Sequence, residues 1–492
     1  MKRMIFCHER MAFYLCWQTD MQMPAGPCQS GGLPHGDSMQ FVSVNPATGR
    51  RLASYRGHTH SQTAVAVDRA QSAFADWRQR TFAQRARLLR TLARNLRSRR
   101  EDLAALLTAE VGKPITQAHA EIEKSAMVCD YYARYAARYL APEHPPGAPR
   151  HARVVYEPLG LVLAIMPWNF PFWQTFRAAA PALMAGNTFL LKPAPNTAGC
   201  ALAIQKIFSA TGAPEGLLQT LLVGVDAVPG LVADERVRGV SLTGSTRAGK
   251  QVAALAGAAL KPGVFELGGS DPYLILEDAD LAQAAKACAH SRLINSGQSC
   301  IGAKRIIVVQ SVLREFERQL TAYFAARRTG DPTDAATDVG PLARADLRDL
   351  LHAQVRRSVR LGARLLLGGK PRPAPGYFYP PTVLTDVKAG MPAYDEELFG
   401  PVAAIIPVRD AVEAVTVAND SAYGLGAAIF TRDRRRARRL AGQIESGLVF
   451  INNYVRSDPA LPFGGVKQSG FGRELGSCGI RAFVNVKTLV GA

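Results

Sequence analysis

Ser241-Leu242-Thr243-Gly244-Ser245-Thr246-Arg247-Ala248-Gly249 decides the fold class. An apolar strand ends, a glycine turns the chain, and a helix begins at Ser245 or Thr246. Working outward, the same rhythm repeats. Short β-rich runs at 159–165, 188–191, 219–223 and 239–242 alternate with helical stretches at 172–185 and 197–211. Strands separated by helices of about 10–15 residues predict a parallel sheet covered on both faces. A second set follows Gly268, with strands at 273–276, 305–309, 364–367 and 403–407 and helices at 279–295, 311–328 and 343–361. The economical reading is two α/β domains in tandem.

The N-terminal part is helical instead. Ser61 reads as the cap of a helix reaching Arg78, with Val65, Ala66, Ala70, Ala73, Phe74 and Trp77 on its apolar face. A long helix over 82–109 carries Leu88, Leu89, Leu92, Leu96 and Leu103 on one stripe, with Arg85, Arg87, Arg90, Arg94 and Arg97 on a solvated remainder. A third covers 115–140, and the prolines of 142–149 break the chain. Order begins at Phe41. Residues 1–40 read as a disordered or non-native extension.

Composition narrows the function classes. The 492 residues are 48% hydrophobic and 20% charged, which suits globular domains rather than a disordered or fibrous chain. Lys plus Arg number 59 against 40 Asp plus Glu, a net charge of +19. That charge is spread along the chain without an RNP-type segment or zinc-finger spacing, so a solvated basic surface is expected and nucleic acid is not. The eight cysteines, 7, 16, 28, 129, 200, 288, 300 and 478, form no Cys-x-x-Cys pair and fit reduced thiols in a cytoplasm. No histidine pairing suggests a metal, and no apolar run reaches the ~20 residues of a membrane span.

Four segments can carry chemistry. In residues 241–249, backbone N–H groups at a helix start can hold phosphate at Gly244 and Ser245, or Ser245 is a plain N-cap. In Phe265-Glu266-Leu267-Gly268-Gly269, a carboxylate between an apolar strand and a double glycine is either a surface Glu before a turn or a buried general base. In Asn295-Ser296-Gly297-Gln298-Ser299-Cys300, the cysteine sits in a polar, glycine-containing loop, unlike Cys129, Cys200 and Cys288 on helical apolar patterns. In Met166-Pro167-Trp168-Asn169-Phe170-Pro171, Asn169 is a turn residue or an amide donor to an oxyanion.

These segments, in this order and spacing, resemble the NAD(P)-dependent aldehyde dehydrogenase superfamily. Leu191-Lys192-Pro193-Ala194, Glu396-Glu397-Leu398-Phe399-Gly400-Pro401 and Pro462-Phe463-Gly464-Gly465-Val466-Lys467-Gln468-Ser469-Gly470 extend the likeness from about Val44 to the C-terminus. The resemblance implies a Rossmann-like cofactor domain (41–135 and 156–267), a catalytic domain (268–455) and a small oligomerisation arm (136–155 with 474–492). It implies a homodimer or homotetramer. Cys300 is the implied nucleophile, Asn169 Nδ2 and the Cys300 N–H hold the oxyanion, and Glu266 activates water, without a metal. Trp168, Lys192, Pro195, Gly244, Ser245, Leu267, Glu397 and Phe399 are the implied cofactor contacts.

Relatives that prefer NAD often carry Glu where Pro195 stands. Proline cannot repel a 2′-phosphate, so use of NAD or NADP is expected. Arg177 resembles the carboxylate-pairing arginine of the bacterial succinate-semialdehyde dehydrogenases, with Ser457 as its hydroxyl partner and Arg456 as a further cation. Ile294 departs from that branch, which often has Arg there. Gly302 leaves no second cysteine near Cys300. The implied reaction is oxidation of succinate semialdehyde to succinate. The rivals are another short-chain, possibly carboxylated, aldehyde, and a retired enzyme serving as a basic structural or nucleic-acid-binding protein.

Overall fold

The computed structural model describes residues 39–371 and 375–491. Positions 1–38 of the expected extension lie outside them. Two parallel-rich sheets organise the chain. In the six-stranded sheet the order is Gly470–Phe471, Gly263–Glu266, Val237–Thr243, Leu161–Ile165, Thr188–Lys192 and Leu218–Thr220. Every neighbouring pair is parallel except the first. The chain enters at Leu161–Ile165, and later strands add on both sides of it. That reversal opens a crevice at the carboxyl ends of the strands.

The strand sequences explain the burial. Val162, Ala164, Phe189 and Leu191 join one core, while Leu161, Leu163, Leu190, Val240 and Leu242 join another. Alternate side chains face opposite sides of a sheet, so a strand apolar at every position needs cover on both. The seven-stranded sheet repeats the logic in the order Arg364–Leu367, Thr382–Thr385, Val402–Val408, Arg305–Val309, Pro272–Ile275, Gly426–Phe430 and Leu448–Ile451. Leu274 and Ile307 pack on one face, Tyr273 and Ile306 on the other.

Local chemistry sets the helix ends, and here the sequence reading needs correcting. Thr59, not Ser61, caps the helix His60–Trp77 through a reciprocal capping box with Gln62. The helix read as 82–109 is two, Phe82–Ser98 and Arg100–Val111, separated at Arg99. Arg85 does not belong to a solvated face. It is buried and donates to the carbonyls of Met184 and Arg78, one of them at the C-terminal end of the helix Pro171–Ala185, where a cation complements the helix dipole. The last strand, Val484–Val490, pairs antiparallel with Ala152–Pro158 in a separate two-stranded ribbon. The expected boundary at 155/156 falls inside this ribbon.

Among the described residues, no helix is long and apolar enough to cross a membrane, and no group of three or more His, Cys, Asp or Glu could hold a metal ion.

Candidate active site

Each singled-out segment follows the carboxyl end of a strand in the six-stranded sheet, except the cysteine loop. Glu266 closes Gly263–Glu266, Gly244 and Ser245 follow Val237–Thr243, Trp168 and Asn169 follow Leu161–Ile165, and Lys192 closes Thr188–Lys192. Cys300 comes from the other half of the chain, in the loop between the helix Leu281–Leu293 and the strand Arg305–Val309.

The cysteine loop is shaped by left-handed backbone. Asn295, Ser296 and Gly297 have φ of 52°, 54° and 78°. Asparagine tolerates this region, and Gly297 is required for a second reason: a Cβ there lies 2.2 Å from the Gly400 carbonyl. Arg292 braces the turn from inside, its guanidinium donating to the carbonyls of Gly297, Leu398 and Gly400. Arg292 is fully buried and therefore serves the loop rather than a ligand. It also explains Gly302, where a Cβ stands 2.8 Å from an Arg292 nitrogen.

The double glycine after Glu266 has a steric cause. A Cβ on Gly268 lies 2.6 Å from a Glu397 carboxylate oxygen, and one on Gly269 lies 2.6 Å from the Cys300 carbonyl oxygen. Glycine here lets the strand that ends in Glu266, the cysteine loop and Glu397 converge.

Cys300 is half-buried. Burial pushes its thiol up to about 12, opposed by the charges of Lys304 and Arg177 and reinforced by Glu397 and Glu266. Lys304 is the nearest anchor, its Nζ donating to the Cys300 carbonyl at 2.7 Å and pairing with Glu397 at 2.9 Å. Sequence reasoning missed Lys304, although its position four residues past the cysteine was a usable signal.

Glu266 is 2% exposed, and neither of its carboxylate oxygens has a hydrogen-bond partner among the described residues. Burial, then the nearby Glu474, holds its carboxyl well above the usual range, while Arg177 and Arg473 oppose them. The surface reading of Glu266 is thereby overturned. An unpartnered buried carboxyl of raised pKa is what a general base near neutrality requires.

Asn169 is buried, with its Oδ1 accepting from Gln174 Nε2 at 3.1 Å and its Nδ2 donating to the Gln298 carbonyl at 3.1 Å. An amide has two N–H donors, so one remains. Its own carbonyl accepts from Lys113 Nζ at 2.9 Å and Asn295 Nδ2 at 2.8 Å, which ties the Asn169 turn to the cysteine loop. Lys113 is also ion-paired with Glu121, whose other oxygen accepts from the Phe172 and Trp173 N–H groups at 3.0 and 3.1 Å. A buried ion pair thus fixes the start of the helix Pro171–Ala185. The sequence reading contained neither residue.

The cofactor candidates lie around the crevice. Ser245 caps the helix Thr246–Ala258, accepting from Ala248 N–H at 3.3 Å, so the N-cap reading of this serine holds. Leu267 packs against Gly249 so closely that a Cβ there stands 2.3 Å from a leucine methyl. Lys192 is buried, has among the described residues a single hydrogen bond, to the Pro193 carbonyl at 3.5 Å, and has its pKa lowered by burial against the opposing charge of Asp226. Pro195 begins a short 3-10 turn whose Asn196 carries a buried Nδ2 without a partner. A buried unpaired ammonium and an orphan amide donor fit the hydroxyls or phosphate of a nucleotide ribose. Trp168 and Phe399 meet edge to face, with ring centroids 5.8 Å apart.

The substrate candidates divide. Arg177 is 2% exposed and already engaged: it is ion-paired with Glu474, donates to Thr243 Oγ1 at 3.1 Å and lies over the Phe463 ring. Glu474, inside the Phe471-Gly472-Arg473-Glu474-Leu475 phrase, is its buried counter-ion. The other candidates adjoin a cavity of about 380 Å³ that Arg456 lines. Phe170, Trp173, Leu293, Ile294, Arg456 and Lys124 are among its walls, and Arg177 is not. Arg456 is exposed over the Tyr454 ring. Ser457 is buried and accepts from Lys124 Nζ at 2.7 Å.

Known proteins resemble this chain over most of its length. Residues 34–489 match the model of the aldehyde dehydrogenase family. A Synechocystis sp. protein named probable succinate-semialdehyde dehydrogenase (NADP(+)) is 49% identical over 92% of this chain and 99% of its own. The Escherichia coli succinate semialdehyde dehydrogenase (NAD(P)+) Sad is 47% identical over 91% of this chain and 97% of its own. The crystal structure of succinic semialdehyde dehydrogenase from Streptococcus pyogenes in complex with NADP+ superposes with a TM-score of 0.89 at 37% identity, covering 91% of this chain and 99% of that one. With residues 34–489 matching the family model and relatives 47–49% identical over more than nine-tenths of its length, the chain belongs to the aldehyde dehydrogenase family.

Proposed function

We propose that the protein oxidises succinate semialdehyde to succinate with NAD+ or NADP+, in the cytoplasm. The observation that carries the chemistry is the meeting of Cys300, Asn169 and the unpartnered Glu266 at one crevice. Cys300 Sγ bonds to the aldehyde carbon as the thiol gives its proton to solvent water and the carbonyl π pair moves onto the oxygen. The resulting oxyanion lies between the free N–H of Asn169 Nδ2 and the Cys300 backbone N–H, which no hydrogen bond engages among the described residues. A hydride must then leave the carbon, and a bound nicotinamide supplies the acceptor, so that a thioester remains on Cys300. Glu266 takes a proton from water, whose oxygen attacks the thioester carbon and expels the Cys300 thiolate with the acid.

In this reading Gly244, Ser245 and the start of the helix Thr246–Ala258 would receive a pyrophosphate, Lys192 with Pro195 a ribose, Glu397 the second ribose, and Trp168, Leu267 and Phe399 the rings. Pro195 presents no carboxylate to a 2′-phosphate, which supports use of either dinucleotide. The named activity of the relatives supports the substrate. The chain assembles as a homodimer or homotetramer through the ribbon of Ala152–Pro158 and Val484–Val490.

A steady-state matrix of succinate semialdehyde and propanal against NAD+ and NADP+ tests the reading. Succinate semialdehyde is expected to have the higher kcat/KM with both dinucleotides. Cys300→Ser is expected to lower it by about 10³-fold or more. A wild-type preference for propanal overturns the substrate, and an active Cys300→Ser variant overturns the mechanism.

A further inference from the structure

We propose that Lys304 is a positioning residue for the attack by Cys300: its buried ammonium ties the Cys300 peptide to Glu397 and supplies the positive charge against which the thiolate forms. This role rests on the mechanism proposed above and deepens it. Lys304 is 1% exposed and directly precedes the strand Arg305–Val309. Its Nζ donates to the Cys300 carbonyl at 2.7 Å and pairs with Glu397 Oε1 at 2.9 Å. The Gly269 N–H reaches the same Oε1 at 3.2 Å. One ammonium therefore joins the cysteine loop to Glu397 and, through it, to the turn that follows Glu266.

A second carboxyl faces this ammonium. Asp271 is 1% exposed, its Oδ1 accepts from the Gly426 N–H at 3.0 Å, and its Oδ2 is buried without a partner among the described residues. Burial pushes the Asp271 carboxyl up to about 7, and Lys304 is the foremost charge opposing that rise. Neutralising two buried carboxyls would by itself make Lys304 a brace. The bond to the Cys300 carbonyl gives it a further effect. A charged nitrogen 2.7 Å from that oxygen stands close to the sulfur of the same residue, inside a site that excludes much of the water that would screen it.

The charges around the thiol oppose one another. Lys304 and then Arg177 favour the thiolate, while Glu397 and Glu266 resist it. Arg177 is already committed to the buried Glu474. Arg292, the other cation of the loop, has its guanidinium taken up by the carbonyls of Gly297, Leu398 and Gly400. Lys304 is thus the cation tied directly to Cys300. Removing its charge makes the thiol harder to ionise, and removing the charge of Glu397 makes it easier. No proton passes through Lys304 in this role. The thiol proton leaves to water, and the ammonium only stabilises the sulfur anion left behind.

The experiment follows alkylation of Cys300 by iodoacetamide in the full chain, read on the Cys300 peptide by mass spectrometry. Rates are compared at about pH 8.5, above the Asp271 titration, and as a function of pH. Lys304→Met and Lys304→Gln are expected to slow alkylation by about 3- to 10-fold, since a thiol of higher pKa holds less thiolate but each thiolate is more reactive. Glu397→Gln is expected to speed it by a similar factor. A loosened loop would expose the sulfur and speed its reaction, so slowing in the lysine variants is not what a merely structural role gives. Alkylation at the wild-type rate or faster in both lysine variants overturns the proposal, and so does an unchanged or slower rate in Glu397→Gln. No aldehyde enters this measurement. If the wild-type enzyme prefers propanal while the lysine variants alkylate slowly, the substrate reading fails and the role of Lys304 stands. If the wild type oxidises succinate semialdehyde and the lysine variants alkylate normally, the role of Lys304 falls alone.

Discussion

At the scale of single residues, the centre is a set of buried charges that influence one another. Glu266 and Glu474 are both held above the usual carboxylate range, first by burial, and Arg177 works against that at both. In the proposed mechanism the base form of Glu266 activates water, so the rate is expected to climb with pH through a titration higher than that of an ordinary glutamate. Glu474→Gln removes a negative neighbour of Glu266 and leaves Arg177 uncompensated. Both changes favour the ionised form of Glu266, so the acid limb of the pH–rate profile should move to lower pH. A move to higher pH, or none, in a stopped-flow or steady-state profile contradicts this coupling. Cys300 and Glu266 were singled out by their glycine-containing segments, but the burial of Glu266 was not legible there, and only the resemblance of all the segments together gave the two residues their expected roles. Arg177 was found but its partner was not. A buried ion pair between residues about 300 positions apart leaves no local mark.

At the scale of elements, the helix Pro171–Ala185 carries Asn169 at its entrance and is fixed by two devices. Pro171 supplies the first-turn dihedral without needing a partner for an N–H, and Glu121 accepts from the next two N–H groups. Lys113 neutralises Glu121 and holds the Asn169 carbonyl. Lys113→Met leaves a buried carboxylate unpaired, which is expected to cost about 3–5 kcal/mol in urea unfolding. Turnover should fall as well, because the Asn169 turn loses one of its two carbonyl anchors. An unchanged unfolding midpoint refutes this. The strand–helix alternation was readable, since period-2 burial on both faces needs continuous apolar runs. The strands Gly426–Phe430 and Leu448–Ile451 were not read, and neither was Thr382–Thr385. Gly426-Ala427-Ala428 and the serine and glycine before Leu448 look like loop in one dimension and gain strand character only from neighbours. The break at Arg99 escaped notice because the leucine stripe runs on through it.

At the scale of the whole molecule, the ribbon of Ala152–Pro158 and Val484–Val490 stands apart from both sheets, and Val486, Leu489 and Val490 are exposed on it. An apolar strand left this open suits a subunit contact. Leu489→Arg combined with Val490→Asp is expected to shift the protein toward monomer in light scattering coupled to size exclusion. An assembly unaffected by both changes argues for another interface. A different long-range feature governs how the enzyme comes into being. Gly470–Phe471 forms the edge next to the strand that ends in Glu266, and Gly464 lies against the carboxylate itself. A chain still emerging from the ribosome therefore lacks the wall that buries Glu266 until residues 464–471 have been made. Products that stop between residues 300 and 464 carry Cys300 but lack this enclosure of Glu266, so on the proposed mechanism they gain no hydrolytic base.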